Sequence, residues 1–290
     1  MKSYALHWNG FQLDLGRRTA IMGIVNVTPD SFSDGGQFYS TDAAVAMAER
    51  LVNAGADIID IGGESTRPYA AEVPEQAEMD RVVPVIERLA QRIEVPISID
   101  TTKATVADAA LSAGASMIND ISALQMDDQI AAVAVKHRVP VILMHMKGSP
   151  RTMQIDPVYD DLISEVLNFL KDAIDRAKKA GIAEDKIIID PGIGFGKTIS
   201  HNLQLIERLS ALESLKVPIL IGSSRKAFIR KILSENRPHE LSADQPEVET
   251  GTQATIAMAV NNGAHIVRVH NVANTKAMVT MLDAIRNAWE

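Results

Sequence analysis

The stretch VPISIDTTKATVADAALSAGASMIND, residues 95–120, holds one complete cycle of the pattern that organises this chain. Pro96 opens a run in which Ile97 and Ile99 take one face and Ser98 and Asp100 the other, the period of a strand. An amphipathic helical pattern follows near residues 103–113 and stops at Gly114, which suits the left-handed position just past a helix. A second strand pattern, Ser116 to Asn119, then begins. Strand, helix and strand in this order join parallel strands.

The cycle repeats in both directions. Strands are expected at Ala20 to Val25, Asp57 to Ile61, Ile97 to Asp100, Ser116 to Asn119, Val141 to Met144, Lys186 to Asp190, Ile219 to Ile221 and His265 to Val269. Helices are expected near 41–53, 75–92, 103–113, 127–137, 158–180, 200–212, 225–234 with 249–262, and 274–288. Odd-numbered helices end at Gly55, Gly114, Gly181 and Gly263. Even-numbered ones lead into Val95-Pro96, Val139-Pro140 and Val217-Pro218, where proline starts a strand without needing an N–H. Eight strand-helix units with a two-unit period predict an α/β fold, the (β/α)8 TIM barrel, as a single domain over residues 1–290. Residues 4–18 are expected to form a short β-hairpin across the barrel bottom.

With 46% apolar and 23% charged residues among 290, the chain can bury a full core, and whole-chain disorder is excluded. A formal charge of -8 argues against general nucleic-acid binding, so an anionic ligand must meet a local basic cluster. The absence of cysteine excludes disulfides, thiolate metal sites and a cysteine nucleophile. No charged-then-apolar leader pattern opens the sequence, and no apolar run approaches the length of a membrane span. The expectation is a soluble cytoplasmic protein without a membrane partner.

In such a barrel the active site lies where the strands end. Those ends read Asn26, Asp60, Asp100, Asn119 with Asp120, His145, Asp190, Ser223-Ser224-Arg225-Lys226, and Arg268 with His270. Taken singly, each has a plain explanation. Asp60 and Asp120 suit caps of the following helices, His145 suits a hydrogen-bonded structural histidine, and Lys226 suits the surface. A whole ring of polar strand ends is not required by packing. Asp100, Asn119 and Asp190 offer acceptors to a flat heterocycle with several N–H donors, such as an aminopyrimidinone. Arg268, His270 and the helix start around Asn274 form a basic corner where such barrels often bind phosphate. Lys226 is placed to reach either group. Asn26 beside a diphosphate would suit magnesium, which keeps most of its waters. The connections Asn26 to Ser40 and Gly62 to Pro74 are long, as functional loops at this face often are.

The segment DPGIGFGKT, residues 190–198, narrowly misses two phosphate-binding patterns. A Walker A loop needs glycine where Pro191 stands, and Gly192, Gly194 and Gly196 give G-x-G-x-G where a dinucleotide loop needs G-x-G-x-x-G. The plainer reading is a tight loop leaving a buried strand.

Together the motifs IMGIVNVTPDSFSDGG, DIIDIGGESTRP, ISIDTTK, MINDIS, VILMHMKGSPRTMQ, IIIDPGIGFGK, GSSRKAFI and HIVRVHNV, between residues 21 and 272, resemble the bacterial dihydropteroate synthase family. The resemblance implies condensation of 6-hydroxymethyl-7,8-dihydropterin diphosphate with 4-aminobenzoate, in folate synthesis. It implies pterin contacts at Asp100, Asn119, Asp190 and Lys226, with Asp100, Asp190 and Lys226 carrying the catalysis. Diphosphate contacts fall on Asn26, Thr66, Arg268 and His270, with Mg2+ near Asn26. Loop one with Phe32 and Asp34, and loop two with Thr66, Arg67 and Pro68, would build the aminobenzoate site beside Phe195, Ser224 and Arg225. A homodimer is also implied, although the segment Lys231 to Thr250 looks longer than in the family and alters the region where its members dimerise. A methyltetrahydrofolate methyltransferase shares the Asp, Asn, Asp pattern but lacks the Thr-Pro-Asp-Ser-Phe-Ser and Ser-Thr-Arg-Pro loops. A non-catalytic pterin-binding paralogue would be expected to have lost a loop or strand-end residue.

Overall fold

The computed structural model describes residues 2–28, 37–65, 72–148, 152–153 and 156–288. A hairpin of β1 (Tyr4–Trp8) and β2 (Phe11–Leu15) comes first. The barrel strands are β3 (Ala20–Asn26), β4 (Ile58–Gly62), β5 (Ile97–Asp100), β6 (Met117–Asp120), β7 (Val141–Met144), β8 (Ile187–Asp190), β9 (Leu220–Ile221) and β10 (Ile266–Val269). The helices are α1 (Gln37–Asn53), α2 (Glu75–Leu89), α3 (Ala104–Ser112), α4 (Gln129–His137), α5 (Leu162–Lys179), α6 (Ile199–Glu207), α7 (Ala227–Leu233), α8 (Pro246–Asn261) and α9 (Val272–Arg286).

The eight-stranded sheet runs β8-β7-β6-β5-β4-β3-β10-β9 with every pairing parallel, and a bridge between Ile189 and Ile219 joins its two edges. The expected barrel is present. Its strands are almost uniformly apolar because both faces are covered, the inner by side chains of other strands and the outer by helices.

The alternation of strand entries has a structural cause. Carbonyls of Pro96, Pro140 and Pro218 accept from Ile59, Ile118 and Ile189 of the preceding strands, so each proline extends the ladder through its only backbone polar group. Gly114 exits α3 at φ 120°, and a Cβ there would lie 2.4 Å from that of Ala90, so α2 and α3 pack over a bare backbone. The even exits are left-handed as well where Arg138 (φ 58°) and Lys216 (φ 60°) precede a Val-Pro pair.

The sixth helix differs from expectation. It stops at Glu207, and a 3-10 segment, Leu209–Leu215, continues in its place. Three residues per turn bring Leu209 and Leu212 onto one line, and both are buried. The hairpin turns at Asn9 and Gly10, both left-handed, and buries Leu6, Trp8, Leu13 and Leu15. Hydrogen bonds from Lys186 Nζ to His7 O, from Asn9 Nδ2 to His137 O, and between His265 Nε2 and Lys2 O fix it beneath the starts of β8, β7 and β10. That end is closed, as expected.

Candidate active site

Parallel register places Asn26, Gly62, Asp100 and Asn119 side by side across β3, β4, β5 and β6. Gly62 leaves a gap in this row: a Cβ there would sit 3.8 Å from Asp100 Oδ2 and 3.9 Å from Asn26 Oδ1. Its φ is not left-handed, so the glycine supplies room rather than a turn. Two residues deeper on β4 and facing the same way, Asp60 is fully buried.

Arg268 of β10 ties this row together. Its Nε donates to Asp60 Oδ2 at 2.6 Å and its Nη2 to Asp100 Oδ2 at 2.7 Å, while Asn119 Nδ2 reaches Asp60 Oδ2 at 3.2 Å. The capping role read for Asp60 is therefore incorrect. Its partner comes from the opposite end of the chain, and no local pattern announces it. Asp120 does cap the turn after it, accepting from Ser122 N, Ser122 Oγ and Leu124 N.

One guanidinium serves two carboxylates, so this buried group is short of positive charge. Burial pushes Asp100 up to about 7, against the pull of Arg268 and helped by the negative charges of Asp60 and Glu78. Burial also raises Asp190 to about 6, although Gly192 N–H and the cations of Lys226 and Arg268 favour its ionised form. Lys226 is lowered to about 8, first by desolvation and then by Arg268, with Asp190 and Asp100 opposing. The surface reading of Lys226 also fails: its Nζ stands 4.1 Å above the centre of the Phe195 ring. A recess whose acids and bases approach neutrality is where proton position can be controlled.

The glycine-rich segment after β8 is not a phosphate loop. The N–H groups such a loop would aim at a ligand are already bonded inside the protein: Gly192 N to Asp190 Oδ1, Gly194 N to Asn202 Oδ1, and Phe195 N to Gly192 O. Glycine is required by proximity at Gly192, where φ is 70° and a Cβ would fall 1.9 Å from His145 O. The segment projects Phe195 into a small apolar cluster with Ile121, Met144, Met146 and Met153. These residues offer a flat, polarizable wall beside the acceptors, a feature the sequence reading did not single out.

His145 is buried and structural, as expected. Its Nδ1 lies 2.9 Å from Lys197 Nζ, and desolvation with the Lys197 charge holds the ring neutral, well below the usual histidine range. At the basic corner, Ser224 Oγ and His270 Nδ1 are 2.9 Å apart, and Ser224 Oγ accepts from His270 N. Arg225 follows in left-handed conformation, φ 58°, with its N–H on Thr252 Oγ1. The last helix begins at Val272, capped by Asn271, rather than at Asn274. Phe32, Asp34, Thr66, Arg67 and Pro68 lie outside the described residues.

Residues 22–270 match the family described as pterin binding enzyme. The chain belongs to this family. Among pterin-binding relatives, the dihydropteroate synthase of Synechocystis sp. is 47% identical over 272 residues, covering 94% of this chain and 92% of that one. The dihydropteroate synthase of Escherichia coli is 45% identical over 290 residues, covering 100% and 98%. A Yersinia pestis dihydropteroate synthase in complex with a sulfonamide drug superposes with a TM-score of 0.89 at 45% identity, covering 98% of this chain and 99% of that one. The Xanthomonas albilineans enzyme with 4-aminobenzoic acid gives 0.88 at 45% identity, covering 98% and 99%. The same enzyme in complex with 7,8-dihydropteroate gives 0.85 at 42%, covering 97% and 98%.

Proposed function

We infer that this chain is a dihydropteroate synthase, a transferase of folate biosynthesis that joins 6-hydroxymethyl-7,8-dihydropterin diphosphate to 4-aminobenzoate and releases diphosphate. One observation carries the reading at atomic level: acceptors of Asp100, Asn119 and Asp190, on separate strands, share a recess with the cations of Lys226 and Arg268.

The carboxylates and Asn119 accept the N–H donors of the pterin, with Lys226 over its edge. The C–O bond to diphosphate breaks with its electron pair going to the departing oxygen, leaving an electron-poor pterin methylene. Asp100 and Asp190 stabilise that positive character, and Arg268 and His270 the departing anion. The amine nitrogen of 4-aminobenzoate then forms the C–N bond, and its surplus proton passes to solvent. Phe32, Thr66, Arg67, Pro68, Phe195, Ser224 and Arg225 are assigned to the aminobenzoate side, and Asn26 and Thr66 to the diphosphate.

Magnesium is part of this proposal. Among the described residues no cluster of three or more His, Asp or Glu side chains could cage a metal. Asn26, exposed at the rim with its Oδ1 across from Gly62, suits an ion that keeps most of its waters and binds the diphosphate. When bound, the ion would supply positive charge to the diphosphate oxygens. A cytoplasmic homodimer is proposed as well. Met258 of α8 and Met281 and Ile285 of α9 are 45, 62 and 65% exposed, an apolar surface available to a second copy. Among the described residues no helix is long and apolar enough to cross a membrane.

The test is diphosphate release with magnesium, the pterin diphosphate and 4-aminobenzoate, omitting each in turn. Release that requires aminobenzoate and yields dihydropteroate supports the reading. Pterin binding without turnover overturns it in favour of a non-catalytic pterin-binding protein.

A further inference from the structure

Lys197 is a buried cation that the reaction above does not use. It is 3% exposed, and desolvation lowers its pKa to about 7. An apolar side chain would fill the same space without that cost. Its Nζ donates to Phe195 O at 2.9 Å and to His145 Nδ1 at 2.9 Å. His145 is itself held: its ring meets Phe169 of α5 edge-on at 4.7 Å, and its backbone N–H donates to Asp190 O at 2.9 Å. An unbroken chain of contacts therefore runs from α5 through His145 and Lys197 to the backbone of Phe195, and from the Phe195 ring to Lys226 Nζ.

The rest of the turn is secured without Lys197. Asp190, Asn202 and Tyr159 bond Gly192 N, Gly194 N and Gly196 O respectively. None of these three reaches the carbonyl of Phe195. Lys197 alone among the described side chains bonds that carbonyl, which lies next to the peptide unit setting the direction of the Phe195 ring.

We propose that Lys197 is a positioning residue for the second substrate: anchored on His145, it fixes the Phe195 ring beside Lys226 in the orientation that 4-aminobenzoate meets. This rests on the synthase reading. The pterin acceptors Asp100 and Asn119 stand on β5 and β6, away from this chain of contacts, and Asp190 meets it at its backbone carbonyl, through a bond from the His145 backbone N–H that Lys197→Met leaves in place, so the effect falls on aminobenzoate more than on the pterin.

Lys197→Met is compared with Lys197→Gln, which keeps a neutral donor, and with Tyr159→Phe, which loosens the same turn at Gly196 only. For Lys197→Met the expected result is a KM for 4-aminobenzoate raised about tenfold, with pterin diphosphate affinity within about twofold of wild type by calorimetry. Lys197→Gln should lie between wild type and Lys197→Met, and Tyr159→Phe should leave KM within about twofold. The second readout needs no turnover: in protein labelled with 4-fluorophenylalanine, the 19F resonance of Phe195, assigned through Phe195→Leu, should move in Lys197→Met and stay in place in Tyr159→Phe. Equal rises in KM for Lys197→Met and Tyr159→Phe, parallel loss of pterin affinity, or an unmoved Phe195 resonance would each overturn the proposal. A wild-type protein that fails to turn over while its Phe195 resonance still responds to Lys197→Met would defeat the synthase reading and leave the anchoring of Phe195 standing. Should Lys197→Met not fold, Lys197→Gln carries both readouts.

Discussion

Asp60 in the middle of β4 and Asp120 at the end of β6 are equally buried, each with no exposed surface, yet their partners differ in kind. Asp120 accepts from Ser122 and Leu124, two and four residues away. Asp60 accepts from Arg268, 208 residues away, and from Asn119, 59 residues away, and its Oδ1 has no partner among the described residues. A carboxylate satisfied by its own turn stabilises that turn. One that draws a cation across the barrel sets the charge of the space between them, and its incomplete satisfaction marks a place where structure alone does not account for the residue.

The largest test of this difference is Asp100→Asn, which removes charge from the Arg268 group while keeping its shape. Turnover should fall by about 10²–10³-fold with much smaller weakening of pterin binding, as for loss of a group aimed at transition-state charge. Equal losses in both would end the cation-stabilising role. Next, Asp60→Asn and Asp120→Asn should separate cleanly. Asp60→Asn leaves Arg268 with a weaker anchor and should raise the pterin diphosphate KM about tenfold. Asp120→Asn should lower stability by about 1–3 kcal/mol, from lost bonds to buried N–H groups, with kinetics of the folded protein nearly unchanged. Matching profiles for the two variants in denaturation and kinetics would abolish the contrast.

A proton-linked effect sharpens the same point. Asp100 is raised to about 7 from an ordinary value near 3.8, so the folded chain holds more protons than the unfolded one between those limits. The contribution of this group to stability is therefore full at low pH and declines as pH rises through that window. Pterin N–H donors favour the ionised carboxylate, so binding near pH 7 should release about half a proton, and more at lower pH. Calorimetry in buffers of different ionisation enthalpy measures it, and proton uptake would contradict the assignment. The smallest effect is expected from Gly62→Ala, whose methyl enters the gap between Asn26 and Asp100 at ordinary contact distances. It should raise the pterin diphosphate KM a few-fold at unchanged melting temperature.

Most of the barrel was legible because its signals are local. Pro96, Pro140 and Pro218 mark strand starts, and Gly55, Gly114, Gly181 and Gly263 mark helix exits, each through the conformation of a single residue. The left-handed turns at Arg138 and Lys216 were not legible, since nothing in their side chains demands positive φ. At the site, the ring of strand ends was readable from position alone, and Asp100, Asn119, Asp190, Lys226 and Arg268 do converge there. The role of Asp60 was not, and neither was that of Lys197, because Arg268 and His145 are brought to them only by the pairing of strands. The bonded turn after β8 shows the same limit: its glycines look like those of an anion loop, and only the destinations of its N–H groups tell the two apart.

Arg268 belongs to the last strand, which pairs with the first barrel strand to complete the circle. During synthesis every carboxylate of the site therefore leaves the ribosome well before the cation that offsets it. A chain halted ahead of β10 would expose a sheet edge on β3 and place Asp60 and Asp100 together with no guanidinium between them. Barrel closure and charge compensation thus arrive in one event, and a truncated product is disadvantaged at the same position where it is incomplete.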